Sequence, residues 1–183
     1  MTDNNDIDKT NDEKNNDSSQ VEINELLIKK IGKILQLVIE ENKSLENYKE
    51  KLKAQKEMSS TSYNKPSLSV IDYLIRIATY SEAEDNTIIL SLIYIDRISE
   101  LSSIILTPYN IHRLLFVAVL IAIKYNEDVC FGFSFYATIA GVSIKELKAL
   151  ESEFIDLIKF KLYVKKEEFE KYKSYINDIN IDE

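Results

Sequence analysis

The chain has 183 residues, enough for one domain with a substantial core and some additional tail. Hydrophobic residues at 45% and charged residues at 30% are ordinary for a globular protein, while three glycines and two prolines leave few turns and argue against a many-stranded β fold. A formal net charge of −8, with its basic residues scattered, disfavours nucleic acid and anionic membrane surfaces as partners, because like charges repel.

Residues 1–20 are rich in Asn, Asp and Ser, and six acids against two lysines give them a local charge of −4. With so little to bury, they are expected to form a disordered acidic tail. No apolar signal segment opens the sequence. The longest unbroken apolar run, residues 114–123, is about half the roughly 20 residues that a bilayer requires. These features predict an intracellular protein of the nucleus, the cytoplasm or both. Over residues 21–57, Leu27, Ile31, Ile34, Val38, Leu45, Tyr48 and Leu52 recur at spacings of three, four or seven, one stripe of a long helix. Gly32 weakens that helix by about 1 kcal/mol relative to alanine without ending it. Glu41 interrupts the seam a coiled coil would need, so packing against the chain's own domain is the favoured reading. Residues 58–68, with Ser, Thr and Pro, read as a linker.

Helix starts punctuate the next hundred residues. Ser69 with Asp72, Ser81 with Glu84, and Ser143 with Glu146 each place a hydroxyl three positions before a carboxylate. The hydroxyl can satisfy a free first-turn N–H while the acid complements the positive end of the helix. Thr107 before Pro108 is a further start signal, and Gly141 can close one helix in the left-handed conformation before Ser143 opens the next. The implied helices cover about 69–79, 83–99, 108–125, 134–140 and 144–159, with a sixth near 166–179. The third is apolar on every side from Leu114 to Ile123, which makes it the surrounded, central helix of a bundle.

Little in the sequence suggests catalysis. His112 is the sole histidine, and its place in the first turn of the central helix fits a solvent-facing or capping role better than a general base. The glycines are too dispersed for a phosphate loop, and no Cys/His cluster has metal-ligand spacing. Cys130 lies beside Phe131 and reads as a buried thiol without chemistry. The acid pair Glu127 and Asp128 is assigned no chemistry. No catalytic residue, metal or cofactor is expected.

Five segments in order then carry a resemblance: Tyr94-Ile95-Asp96-Arg97-Ile98, Asn110-Ile111-His112-Arg113-Leu114-Leu115, Ala122-Ile123-Lys124-Tyr125-Asn126-Glu127-Asp128, Tyr136-Ala137 with Ala140-Gly141-Val142, and Glu146-Leu147 with Leu150-Glu151. Phe160, Leu162, Val164, Phe169 and Tyr172 close the pattern. Over about residues 69–175 the chain resembles the cyclin box of the P-type cyclins, the single-box branch related to the yeast phosphate-response cyclin and the plant U-type cyclins. The resemblance implies an all-α fold: a five-helix cyclin-box bundle around a buried central helix, with a long extra N-terminal helix and a short C-terminal helix. The corresponding division is a tail over 1–20, a helix over 21–57, a linker over 58–68, a cyclin box over 69–165, and a C-terminal helix and tail over 166–183.

The resemblance also implies a regulatory subunit, not an enzyme, that binds and activates a cyclin-dependent protein kinase. A non-activating helical adaptor with the same fold is the alternative. Lys124 and Glu151 correspond to the pair with which the family touches the kinase backbone, just before the kinase's mobile regulatory helix. The plainer alternative for them is an ion pair internal to this chain. Tyr125, Ile155, Phe160 and Leu162, together with Ile121, would line the apolar surface facing the kinase, or else be ordinary core. The arginine with which cell-cycle cyclins pair the aspartate matching Asp96 is missing from Pro66-Ser67-Leu68-Ser69, so Arg76 and Arg97 are the alternatives for that partner. Too few residues follow Lys159 for a second box.

Overall fold

A computed structural model describes residues 23–181; the expected acidic tail over residues 1–20 lies outside them. Eight helices make up the described residues, with no strand among them: α1 (Glu25–Lys43), α2 (Tyr48–Ala54), α3 (Val70–Ser81), α4 (Asp85–Ser102), α5 (Ile111–Asn126), α6 (Phe133–Ala140), α7 (Ile144–Ile158) and α8 (Lys166–Asp178). No helix among them is long and apolar enough to cross a membrane.

The apolar run dictates the centre. Ile111 and every residue from Leu114 to Ile123 are buried in α5, which packs against α3, α4, α6 and α7. A helix with no polar stripe can only be stable when enclosed, and here it is. Helix α4 is nearly as deeply set, buried continuously from Thr87 to Ile95, because α1, α7 and α8 cover the sides that α5 does not. Helix α1 lays Ile28, Ile31, Ile34, Leu35 and Ile39 into the same core, against α3, α4 and α8.

The stripe expected to be one helix over 21–57 is divided at residues 44–47. One local and one long-range side-chain bond mark that break. The Ser44 hydroxyl donates back to the Glu41 carbonyl (2.6 Å), and the Asn42 amide reaches the Leu106 carbonyl (3.1 Å). Helix α2 then runs with no buried residue of its own.

Two of the expected caps form. The Asp72 N–H donates to Ser69 Oγ (3.0 Å), and the Ser69 hydroxyl donates to Asp72 Oδ2 (2.6 Å); the Glu146 N–H donates to Ser143 Oγ (3.1 Å). Gly141, at φ 72°, closes α6 in the left-handed region. Ser69→Ala removes the α3 cap, and we expect a loss of about 1 kcal/mol. At this chain length that lowers Tm by about 2–4 °C in a thermal melt.

The other start signals misplace their helices. Ser81 does not cap α4: it ends α3, buried, and Glu82 turns the chain in the left-handed region at φ 54°. The α4 terminus is served from a distance, the Glu84 N–H donating to Glu127 Oε1 (3.1 Å). Pro108 does not open α5 either. Asn110 Oδ1 accepts from the Thr107 N–H (2.8 Å), its amide donates to the Ile105 carbonyl (3.0 Å), and the helix begins only at Ile111.

Residues 58–68 are not a loose spacer. Glu153 on α7 accepts main-chain N–H groups from Ser59 (2.7 Å) and Ser60 (2.9 Å) through its two carboxylate oxygens. Arg113 donates to the Ser59 carbonyl (2.8 Å) while its guanidinium pairs with Glu146 (2.6 Å). Just upstream, buried Gln55 forms two hydrogen bonds with the main chain of Ile105.

His112 is half-buried and neither solvent-facing nor a cap. Its Nε2 bonds the Leu68 carbonyl (2.8 Å), its ring lies 5.0 Å from that of Tyr73, and burial pulls its pKa below the usual imidazole value. Cys130 is exposed, contrary to the expectation of a buried thiol, because its neighbours Val129 and Phe131 are themselves exposed in the turn between α5 and α6.

Candidate partner-binding site

Lys124 stands in the last turn of α5, where an ammonium complements the negative helix end. Glu151 projects from the middle of α7, which packs against α5. The two meet: Lys124 Nζ donates to Glu151 Oε1 at 2.5 Å, with side-chain exposures of 30% and 22%. The ammonium also lies over the Phe133 ring of α6, 4.1 Å from its centroid. A cation over an aromatic face is attracted by the ring quadrupole, so Phe133 helps to fix where the lysine points. One carboxylate and one ammonium are thus held in place at the surface, each with unused hydrogen-bonding capacity.

The surrounding apolar residues divide by exposure. Tyr125, next to Lys124, is 51% exposed. Ile155 shares the Glu151 face of α7, four positions on, and is half-buried. Phe160 is 74% exposed, immediately after the end of α7. Leu162 is half-buried against the core. Ile121 does not belong to this surface: at 3% exposure it is core, since it lies within the enclosed stretch of α5.

The Phe160 segment owes its shape to a pair of consecutive left-handed residues, Lys159 (φ 53°) and Phe160 (φ 57°), which swing the chain off α7. Such conformations cost non-glycine residues free energy and persist only where other contacts hold them. Helix α4 supplies these. Arg97 donates to the carbonyls of Lys161 (2.6 Å) and Tyr163 (2.9 Å), and its other terminal nitrogen contacts both oxygens of Glu168 at 2.8 Å. The Tyr94 hydroxyl donates to the Leu162 carbonyl (3.0 Å). Burial, and then the nearby Tyr125 hydroxyl, push the Tyr94 pKa up to about 12, so the donor stays protonated.

Asp96 finds neither Arg76 nor Arg97. Its carboxylate accepts the Tyr172 hydroxyl of α8 (2.5 Å), because Arg97 is committed to Glu168 and to the chain after α7. Burial, together with that hydrogen bond, raises the Tyr172 pKa. Sequence reading missed Phe133, Arg97, Tyr94 and Glu168 as supports of this surface. Arg97 and Tyr94 stood inside a recognised segment, but their bonds span more than sixty positions and leave no local trace.

The family model described as Cyclin matches residues 4–162, well over half of the chain. Cyclin-U4-2 of Arabidopsis thaliana is 31% identical over 140 residues, covering 75% of this chain and 63% of that protein. Cyclin-P3-1 of Oryza sativa subsp. japonica is 36% identical over 107 residues, covering 58% of this chain and 45% of that protein. Cyclin-U2-2 of Arabidopsis thaliana is 37% identical over 108 residues, covering 58% and 47%. The chain therefore spans about half to three fifths of the length of these curated relatives. The match begins well before Ser69 and takes in α1 and α2 as well as the bundle around α5. With this coverage and an all-helical fold built around one enclosed helix, the chain belongs to the cyclin family.

Proposed function

We propose that the chain is a regulatory subunit that binds and activates a cyclin-dependent protein kinase and performs no chemistry itself. The observation that carries this reading is the Lys124–Glu151 pair, partly exposed and bordered by Tyr125, Ile155, Phe160 and Leu162. An ammonium and a carboxylate side by side suit a partner's main chain, the one donating to carbonyls and the other accepting from N–H groups. The flanking side chains supply apolar area whose burial drives association, at about 25 cal/mol per Å².

Activation then follows from preferential binding. A kinase is competent only when the glutamate of its mobile helix pairs with the lysine in the ATP site. A subunit that grips the backbone leading into that helix in the active position lowers the free energy of the active state relative to the inactive one. Membership of the cyclin family and the names of the relatives support this reading.

The test is reconstitution of the purified chain with its cognate kinase and measurement of phosphate transfer to a peptide substrate. The expected result is a stable complex with raised turnover. A complex that forms without any gain in turnover would favour the adaptor reading, and absence of a complex would overturn the kinase-subunit reading.

A further inference from the structure

A second recognition surface lies near the opposite end of the central helix. Lys49, Lys53 and Lys56 recur at helical spacing along α2 and its C-terminal turn, and all three are exposed. None of them takes part in an ion pair among the described residues. With Leu52, Tyr63 and Tyr109 they line a groove of about 300 Å³, at the small end of the range typical of ligand sites. Glu46, Glu50 and Glu57, the nearest acids in sequence, do not line it.

The groove's main chain is held in place. The Ser62 N–H donates to the Tyr109 carbonyl (2.8 Å), which joins its two tyrosine-bearing walls, and Gln55 anchors the end of α2 to Ile105. Main chain already held in place loses less ordering entropy when the groove is occupied. Three ammoniums and no carboxylate line the groove, a local charge that complements an anionic occupant.

We infer that this groove docks an acidic peptide segment of a partner protein, with the carboxylates on Lys49, Lys53 and Lys56 and an apolar side chain between Leu52, Tyr63 and Tyr109. Charge complementarity selects the peptide, and the apolar floor selects its anchor. Nucleic acid fits less well, because its phosphate backbone would face the acidic remainder of the chain. Tyr109 lies just before α5 and Lys124 near its far end, with about 20 Å of helix from Ile111 to Lys124 at 1.5 Å per residue. The two surfaces are therefore far enough apart to be occupied together.

The test uses the full chain and a fluorescein-labelled, glutamate-rich peptide with a central Leu-Phe pair, followed by anisotropy at low ionic strength. Saturable binding is expected, weakened about ten-fold or more in a K49E/K53E/K56E variant and weakened further by added salt. Tyr63→Ala, at a position 94% exposed and so without consequence for folding, is expected to weaken binding several-fold. Lys124→Glu is expected to leave peptide binding unchanged, so failure here and failure of kinase activation are separable. No binding, or equal binding by the triple variant or by a glutamine-for-glutamate peptide, would overturn the inference. So would tighter binding of a single-stranded oligonucleotide. A peptide copying residues 1–20 that outcompetes the probe would assign the groove to the chain's own tail and overturn the partner assignment.

Discussion

Glu151→Lys is expected to lower affinity for the cognate kinase by about 100-fold or more and to remove activation with it. Glu151 now sits 2.5 Å from Lys124, and the substitution places two ammoniums there while deleting the acceptor proposed to meet the kinase. Truncating or reversing one member of a charge pair at a desolvated interface costs about 2–5 kcal/mol, and each 1.4 kcal/mol is tenfold in affinity. The fold should tolerate the change, since a partly exposed pair of this kind contributes only about 0–1 kcal/mol to stability. Calorimetric titration, peptide phosphorylation and a thermal melt together separate the two effects. A Lys124→Glu/Glu151→Lys swap sharpens the test. It restores the attraction within the chain but reverses its polarity toward a partner. Stability near that of the parent chain with binding still lost is the expected outcome. Parental binding by the swap or by the single variant would assign the pair a purely internal role.

How far the sequence could be read depended on how far apart the interacting groups lie. Ser69, Ser143 and Gly141 were legible because a cap or a left-handed turn is satisfied within a few residues. Ser81 misled because its pattern matched a capping box, while the carboxylate that serves α4 comes from Glu127, forty-three positions away. The enclosed helix was legible from composition alone, since ten consecutive apolar residues have no solvent face to offer. Cys130 was misread because apolar neighbours imply burial only when those neighbours are themselves buried, and Val129 and Phe131 are not. At the candidate site, Lys124 and Glu151 came from resemblance to a family; no local rule pairs residues 27 positions apart on different helices. Their supports were invisible for the same reason: Arg97 and Tyr94 act on main-chain carbonyls, whose positions depend on the tertiary fold.

Gly32→Val is expected to destabilise the protein by about 3 kcal/mol, seen as a fall in Tm of about 6–12 °C. Gly32 is buried where α1 crosses α3, and a Cβ built there would meet Ile71 Cγ1 at 2.4 Å and Ile71 Cα at 3.4 Å. The first contact is far inside van der Waals range. The nearby Cα limits how far Ile71 can withdraw, so part of the strain must go into separating the helices. A glycine in mid-helix normally gives away about 1 kcal/mol relative to alanine; here the close approach of two helices accounts for it. Gly32→Ala should fall between parent and valine, its gain in helix propensity offset by the clash. Shortening Ile71 to alanine in the Gly32→Val background should recover part of the lost stability, and a double-mutant cycle on the melts would measure the coupling. Independent effects of the two substitutions would show that the crossing is not the cause.

Glu153 holds the main chain of Ser59 and Ser60, and Gly32 lets α1 lie directly on α3, so the N-terminal helices are tied to the bundle through α1 itself and again just beyond α2. An appendage on a slack tether would open by itself and exchange its amide protons early. With these ties, α1 should instead gain and lose its protection against deuterium in step with α3 and α5, as part of one cooperative unit.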